Sequence, residues 1–419
     1  MNMKVIAKSE YTFKTDVSSK DYYDFLKKCN SNFFSTEEYG VLKTEYGAEY
    51  FLVGVENNNK LVATGLLVFY KSKKIKNLYC PRGPLMNYFD SDILKTFLEG
   101  THEFAKKLKC DTIDIEPDFI VRKYTSKLEV LEEDQSIIKC FETCGYKHQG
   151  YTGQIPNFQL RYTVKFDLSK SYAEFFNAYA SDKKKTLARN DKYLHVKLVE
   201  SDSSTLSDIV KFREQLSDKK RFHVEDITYF EKLYSLYEGT YQIIYLRAII
   251  NFSETISCIN IELEKLMLEL TTAKNKQDVE NQIKSLEQKL QEINSFEIKH
   301  KVEEYCLGAG IAIIVNDNMT YLYEHTDKEI GNFGVPTLMS DYLLRYGIDN
   351  KLKSLDLLGL INPNYPDNPN KSVNNFKMTF GGDVVEYVGV FSKPVSLLYG
   401  VKKNAKKAYY RIKGRIYED

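Results

Sequence analysis

The chain has no tryptophan, no long apolar run and almost no net charge. The longest apolar stretch, near Leu307 to Val315, falls far short of the ~20 residues that a membrane-spanning helix needs. The start, Met1 to Glu10, has no apolar h-region, so no secretory signal is expected. The formal net charge is +1 over 419 residues. No global field therefore draws the protein to nucleic acid or anionic lipid, and such contacts must come from local patches. The missing tryptophan excludes no function.

Residues that carry chemistry are thinly spread. Seven cysteines (Cys29, Cys80, Cys110, Cys140, Cys144, Cys258, Cys306) are odd in number, and Cys140 and Cys144 are not a C-x-x-C pair. No histidine stands at a spacing from them that suggests a zinc finger. Reduced structural thiols in a cytosolic protein are expected. The six histidines show no ligand spacing, so no metal site is expected. There is no G-x-S-x-G, no H-E-x-x-H and no Walker loop. A Q-x-x-G-x-G/A turn, the pyrophosphate cradle of coenzyme A acetyltransferases, is also missing, which counts against acyl-CoA as donor.

What is present is a soluble globular composition, 43% hydrophobic and 28% charged, with length for two or three compact units. Alternating and helical periodicities predict strands at Tyr50 to Val55 and Leu61 to Tyr70, and a helix over Ser91 to Leu108. A short buried strand follows at Thr112 to Ile115. A similar order returns after Tyr162, ending in a late strand over Val384 to Phe391. The fold class is α/β and duplicated, with units at 1–155 and 156–400. A basic helix is expected over 401–419.

One segment breaks this pattern. Ile256, Ile259, Leu263, Leu266, Leu270 and Ala273 fall at heptad steps. A polar turn, Lys274 to Asp278, follows, and then Val279, Ile283, Leu286, Leu290 and Ile293. This predicts an antiparallel coiled-coil hairpin over about 254–304, interrupting a strand hairpin of the second unit. At ~1.5 Å per residue each helix projects roughly 30 Å. Such an arm adds nothing to the core it leaves. It serves either to dimerise the chain or to reach along a large ligand.

Lys183, Lys184, Lys185, Arg189, Lys192 and Lys197 form a basic segment, several on one helix face. That face suits phosphates, or is merely solvated. The tail repeats the theme with Lys402, Lys403, Lys406, Lys407, Arg411, Lys413 and Arg415 around Tyr409, Tyr410 and Ile412. It can lie on anionic headgroups or dock by its aromatic side.

Several short motifs, in order along the chain, carry a resemblance. They are Tyr79-Cys80-Pro81-Arg82-Gly83-Pro84-Leu85-Met86, Ile115-Glu116-Pro117, Gln159-Leu160-Arg161-Tyr162 with Phe166-Asp167-Leu168, the segment after Ser181, Asn375-Phe376-Lys377-Met378-Thr379-Phe380-Gly381-Gly382, and Val385 to Gly389 with Lys393-Pro394. Together they resemble the FemABX family of peptidoglycan bridge-forming transferases, over nearly the whole length. The arm points to its FemA/FemB/MurM-like subgroup. The resemblance implies two GNAT-like subdomains with a helical arm. It also implies transfer of an amino acid from aminoacyl-tRNA, a co-substrate, to an amino group on the peptide of lipid II or a related precursor. No cofactor is implied.

Residue by residue, Lys377 matches the family's catalytic lysine, there to stabilise the oxyanion or to hold the tRNA's terminal phosphate, and Lys43 a lysine that contacts the precursor diphosphate. Glu116 stands where the family has aspartate. Tyr229 and Tyr323 match pocket tyrosines, and Arg82 and Phe376 are placed with the substrate-binding residues. Lys183, Lys184, Lys185 and Arg189 are placed against tRNA. An arginine expected four residues before Tyr229-Phe230 is missing; Glu225 sits there, with Arg221 nearby. No general base is identified. The implied setting is cytoplasmic, at the inner face of the membrane, with homo- or hetero-oligomers left open. A coenzyme A-dependent N-acyltransferase and a non-catalytic interaction protein are the alternatives.

Overall fold

A computed structural model describes residues 10–71, 75–150, 159–217, 225–365, 368 and 370–400. The expected basic helix over 401–419 and Arg221 lie outside them. Among the described residues, seven strands form one sheet, in the order Tyr11–Lys14, Ala48–Asn57, Lys60–Lys71, Lys76–Cys80, Thr112–Ile115, Phe391–Pro394, Lys147–His148. Nine form a second, in the order Lys197–Glu200, Gln242–Asn251, Glu304–Val315, Asn318–Thr326, Ser354–Asp356, Tyr162–Asp167, Asp383–Tyr387, Ile120–Tyr124, Val130–Glu133.

The duplication is visible in the pairing. In the first sheet three antiparallel strands, Ala48–Asn57, Lys60–Lys71 and Lys76–Cys80, are followed by the helix Ser91–Lys107. Thr112–Ile115 then returns parallel to Lys76–Cys80. The second sheet repeats this with Gln242–Asn251, Glu304–Val315 and Asn318–Thr326, the helix Val335–Asp349, and a parallel Ser354–Asp356. Helix Ser91–Lys107 shows why it forms. Asp90 caps its first turn, and Ile93, Leu94, Phe97, Leu98, Thr101 and Ala105 are buried at three- and four-residue steps.

The arm sits where the first unit has a tight turn. There Asn58 and Asn59 take φ of 48° and 59°, the left-handed pair that a two-residue hairpin turn requires. In the second unit the same place holds the helices Phe252–Thr272 and Lys276–His300. Ile259, Leu263 and Leu266 pack in one apolar cluster with Val279, Ile283, Leu286, Ile293 and Phe296. Each such buried side chain stabilises by about 1.5–3 kcal/mol at most. The expectation that the arm adds nothing to the core needs correcting. Its basal half is anchored: Thr255 Oγ1 donates to the Leu194 carbonyl at 2.9 Å, and Glu262, almost fully buried, pairs with Lys192. Lys289 lies over the Phe333 ring at 4.4 Å. Met267 and Leu268 are exposed towards the tip, and Ile261 and Ile298 nearer the base.

The two sheets exchange strands, so a boundary at 155/156 does not separate them. The expected strand Val384 to Phe391 is two strands. Asp383–Tyr387 pairs with Tyr162–Asp167, the backbone turns through Gly389 at φ 83°, and Phe391–Pro394 enters the first sheet. In return, the hairpin Ile120–Tyr124/Val130–Glu133 closes the second sheet. The joint is polar. Fully buried Glu386 accepts from Arg161 (2.7 Å), Tyr162 (2.8 Å), Tyr124 (2.9 Å) and Arg122 (3.0 Å). A further apolar cluster draws Phe33, Leu42 and Leu66 together with Phe212, Phe230 and Ile311, joining the units.

Candidate functional site

Two cavities lie against one short turn. The larger, about 570 Å³, is lined by Arg213, the run Tyr321 to His325, Phe376 and Lys377, among others. The smaller, about 190 Å³, is lined by Arg82, Asp118, Lys165, Asp356 and Tyr387, among others. Leu358 lines both. Its turn is strained: Leu358 and Gly359 take φ of 52° and 38°, a region an L side chain rarely adopts.

Lys377 holds that turn. It is in the last turn of the helix Lys371–Met378, not in a loop. Its Nζ donates to the carbonyls of Leu357 (2.8 Å), Leu358 and Gly359 (3.3 Å). An ammonium has three hydrogens, and all three are engaged. Burial pulls its pKa down to about 8, opposed by the charges of Glu324 and Asp356. The double glycine after it has a steric reason. Gly381 has φ 76°, and a Cβ there would come within 2.5 Å of Ala178.

Tyr323 and Tyr229 meet hydroxyl to hydroxyl at 2.8 Å. Burial pushes the Tyr323 phenol up to about 12. The Tyr46 ring lies 6.2 Å from Tyr229, and Lys43 stands 5.7 Å over Tyr46 and 4.7 Å over Tyr39. Burial lowers the pKa of Lys43. On the other side, Arg213 lies 5.7 Å over Tyr323 and pairs with Glu225. Two cations from different units thus flank one tyrosine cluster. The missing arginine of the resemblance has a counterpart here: its position holds a glutamate, and that glutamate holds Arg213.

Arg82 and Glu116 meet away from the larger cavity. Arg82 stacks on Tyr387 at 3.6 Å and donates to the Leu160 carbonyl at 2.8 Å. Glu116 is fully buried, accepts from Tyr79 and stands 3.9 Å from Arg82. Burial raises its pKa, against the pull of Arg82. It lines neither cavity, but Arg82 and Gln159, both against it, line the smaller one. Lys165 faces the smaller cavity with its charge favoured by Tyr387, against burial, and then by Asp356 and Asp118.

The basic segment is split. Lys183 is buried, 4.3 Å over the Phe376 ring and paired with Asp182, so it props the cavity wall rather than meeting solvent. Lys184 is half-buried and donates to the Asn177 carbonyl at 2.9 Å. Lys185 and Arg189, four apart on the helix Ser181–Arg189, are exposed. Lys192 and Lys197 pair with Glu262 and Glu254 of the arm, which neutralises that end of the patch.

Sequence reasoning brings Lys377, Phe376 and Tyr323 to one cavity, with Tyr229 and Lys43 adjoining. It misses Glu324, Arg213, Lys165 and Asp356. Glu324 follows a matched tyrosine directly, but in a regular strand its side chain points the other way.

Several known proteins are similar to this chain. The FemAB family model matches residues 17–407. The aminoacyltransferase FemA of Staphylococcus epidermidis is 25% identical over 413 residues, covering 94% of this chain and 98% of its own. That of Staphylococcus aureus (strain bovine RF122 / ET3-1) is 26% identical over 424 residues, covering 95% and 99%. A crystal structure of FemX superposes with a TM-score of 0.73 at 18% identity, over 96% of this chain and 99% of that one. This supports the two-unit fold.

Proposed function

Because the chain belongs to the FemAB family, we infer that it is an aminoacyltransferase of peptidoglycan bridge formation. We propose that it moves an amino acid from aminoacyl-tRNA to an amino group on the stem peptide, or growing bridge, of lipid II. The reaction is aminolysis of an ester. The acceptor nitrogen attacks the carbonyl carbon, an oxyanion forms, and the ribose oxygen leaves.

Lys377 is the observation that carries this reading. It is an ammonium at the wall of a cavity large enough for an aminoacyl group and an amine. One of its contacts, to Gly359 at 3.3 Å, is weak enough to exchange for the oxyanion. A fixed donor there is worth about 10²–10³ in rate. Tyr323 and Phe376 shape the cavity around the reacting carbon. Lys43 and Arg213 hold the precursor's diphosphate across the tyrosine cluster. Exposed Lys185 and Arg189 meet the tRNA backbone. The acceptor is lipid-linked, so the enzyme works at the cytoplasmic membrane face. Among the described residues, no helix is long and apolar enough to cross a membrane.

The test compares wild type with Lys377→Ala, using charged tRNA and lipid II. Transfer should fall at least a hundredfold with unchanged circular dichroism. Wild-type turnover in the variant removes Lys377 from the chemistry.

A further inference from the structure

Aminolysis needs an acceptor for one proton. The acceptor amine arrives as an ammonium and has no lone pair until it is deprotonated. We propose that Glu324 takes that proton. The proposal rests on the reading of the protein as an aminoacyltransferase.

Glu324 lines the larger cavity with Lys377, Tyr323 and Phe376. Ile311 pairs with Tyr323 and Ala312 with Tyr321, so Leu322 has no partner and the strand carries a β-bulge. Across a regular strand Tyr321 and Glu324, three apart, would face opposite sides. The extra residue puts Tyr321 on the side of Glu324, while Tyr323 packs in the other apolar cluster. All five residues from Tyr321 to His325 contribute to the cavity lining.

The opposite strand is built to fit. Gly310 pairs with Glu324, and a Cβ on Gly310 would come within 2.7 Å of the Tyr321 hydroxyl. That hydroxyl donates to Met339 Sδ at 3.4 Å, and it lies close enough to favour the Glu324 carboxylate. The glycine therefore keeps room for the tyrosine beside the carboxylate.

The charged and titratable groups around Glu324 are Tyr321 and Lys328 on its own segment, Lys377 on the helix Lys371–Met378, and Arg213 and His325 at the cavity wall. Burial pushes the Glu324 carboxyl up to about 7, against Tyr321, Lys377 and Lys328. A base of that strength is matched to work near neutral pH. His325 is a poorer base, since burial and Arg213 bring its pKa down to about 4.

The step balances. The Glu324 carboxylate takes a proton from the acceptor ammonium and becomes a carboxylic acid. The freed lone pair forms the C–N bond, and the carbonyl π pair moves to oxygen beside Lys377. Collapse breaks the ester C–O bond; one of the two protons left on nitrogen goes to the departing ribose oxygen, and the other stays as the amide N–H. Glu324 then releases its proton to solvent.

The experiment measures transfer from charged tRNA to lipid II between pH 6 and 9.5 for wild type, Glu324→Gln and Tyr321→Phe. Hydroxylamine, already neutral at pH 7, serves as a second acceptor. At pH 7, Glu324→Gln should lose about 10²–10³ in kcat/KM towards lipid II, the usual worth of a positioned base. Its rate should climb steadily with pH, without the wild-type break near 7. With hydroxylamine the gap to wild type should shrink at least tenfold. Tyr321→Phe removes a hydroxyl whose proximity favours the carboxylate, so its break should move to higher pH. A Glu324→Gln protein within threefold of wild type, or equally impaired with both amines at every pH, overturns the proposal. A wild type that consumes no charged tRNA overturns the reading beneath it as well.

Discussion

Glu225 holds the guanidinium of Arg213 in an ion pair, and Arg213 in turn lies over the ring of Tyr323. The charge comes from the helix Ser207–Ser217 rather than from the segment before Tyr229. If Arg213 binds the precursor's diphosphate, Arg213→Ala should raise KM for lipid II about ten- to a hundredfold, as for one charge-assisted contact. Glu225→Gln should act in the same direction but less. Steady-state kinetics check this. An equal effect on an acceptor peptide without diphosphate would contradict it.

Glu386 ties the exchanged hairpin to the second sheet through two arginines and two tyrosines. Removing one partner of a buried pair strands the others. Glu386→Ala should therefore cost on the order of 3–5 kcal/mol. The urea midpoint should fall accordingly, with Glu386→Gln in between. A midpoint within error of wild type would mean that the hub contributes no stability.

How far the sequence revealed the fold depends on what each feature is made of. The arm was legible because its seam repeats locally, and the hairpins because their turns are local. The exchange of Phe391–Pro394 and Ile120–Glu133 between sheets was not, since pairing across 250 residues leaves no periodic trace. Lys377 was legible from its motif, but its three carbonyl partners come from a turn some twenty positions away. Lys183 was placed against tRNA but is buried over Phe376, because a lysine's stem and ring contacts are invisible in a one-dimensional pattern. Glu324 was hidden because the bulge at Leu322, which puts Tyr321 on its side of the strand, leaves no trace in the sequence.

Stability should depend on pH through two opposed groups. Glu324 has a folded pKa near 7, above its ordinary 4.5. The folded state therefore binds more protons between these values. Its destabilising effect is absent below 4.5 and complete above 7, on the order of 2 kcal/mol. Lys377, lowered from 10.5 to about 8, destabilises below 8, and this is relieved as pH rises towards 10.5. Glu324→Gln should thus be more stable than wild type at pH 8, with the difference vanishing towards pH 4.5. Urea unfolding at several pH values checks this. A pH-independent difference would contradict the shift.

The arm should divide into an anchored base and a dispensable tip. Replacing residues 270–278 by a short Gly-Ser turn, which spares buried Val279 and Ile283, should leave the melting temperature within a few degrees of wild type. Removing 254–302 should lower it far more, because buried Thr255, Ile259, Glu262, Ile293 and Phe296 are taken out of the packing. Light scattering should give the same mass for wild type and the tip deletion. A fall to half the mass would make the tip a dimerisation device.

The most direct test of the proposed reaction is the mass of its product. Purified protein is incubated with lipid II and a full set of charged tRNAs, and the lipid-linked product is analysed by mass spectrometry. A parallel sample receives acetyl-CoA in place of tRNA. The predicted result is a mass increase of one amino acid residue, dependent on charged tRNA and abolished by ribonuclease. An unchanged lipid II with charged tRNA, or an increase of one acetyl group with acetyl-CoA, would contradict it.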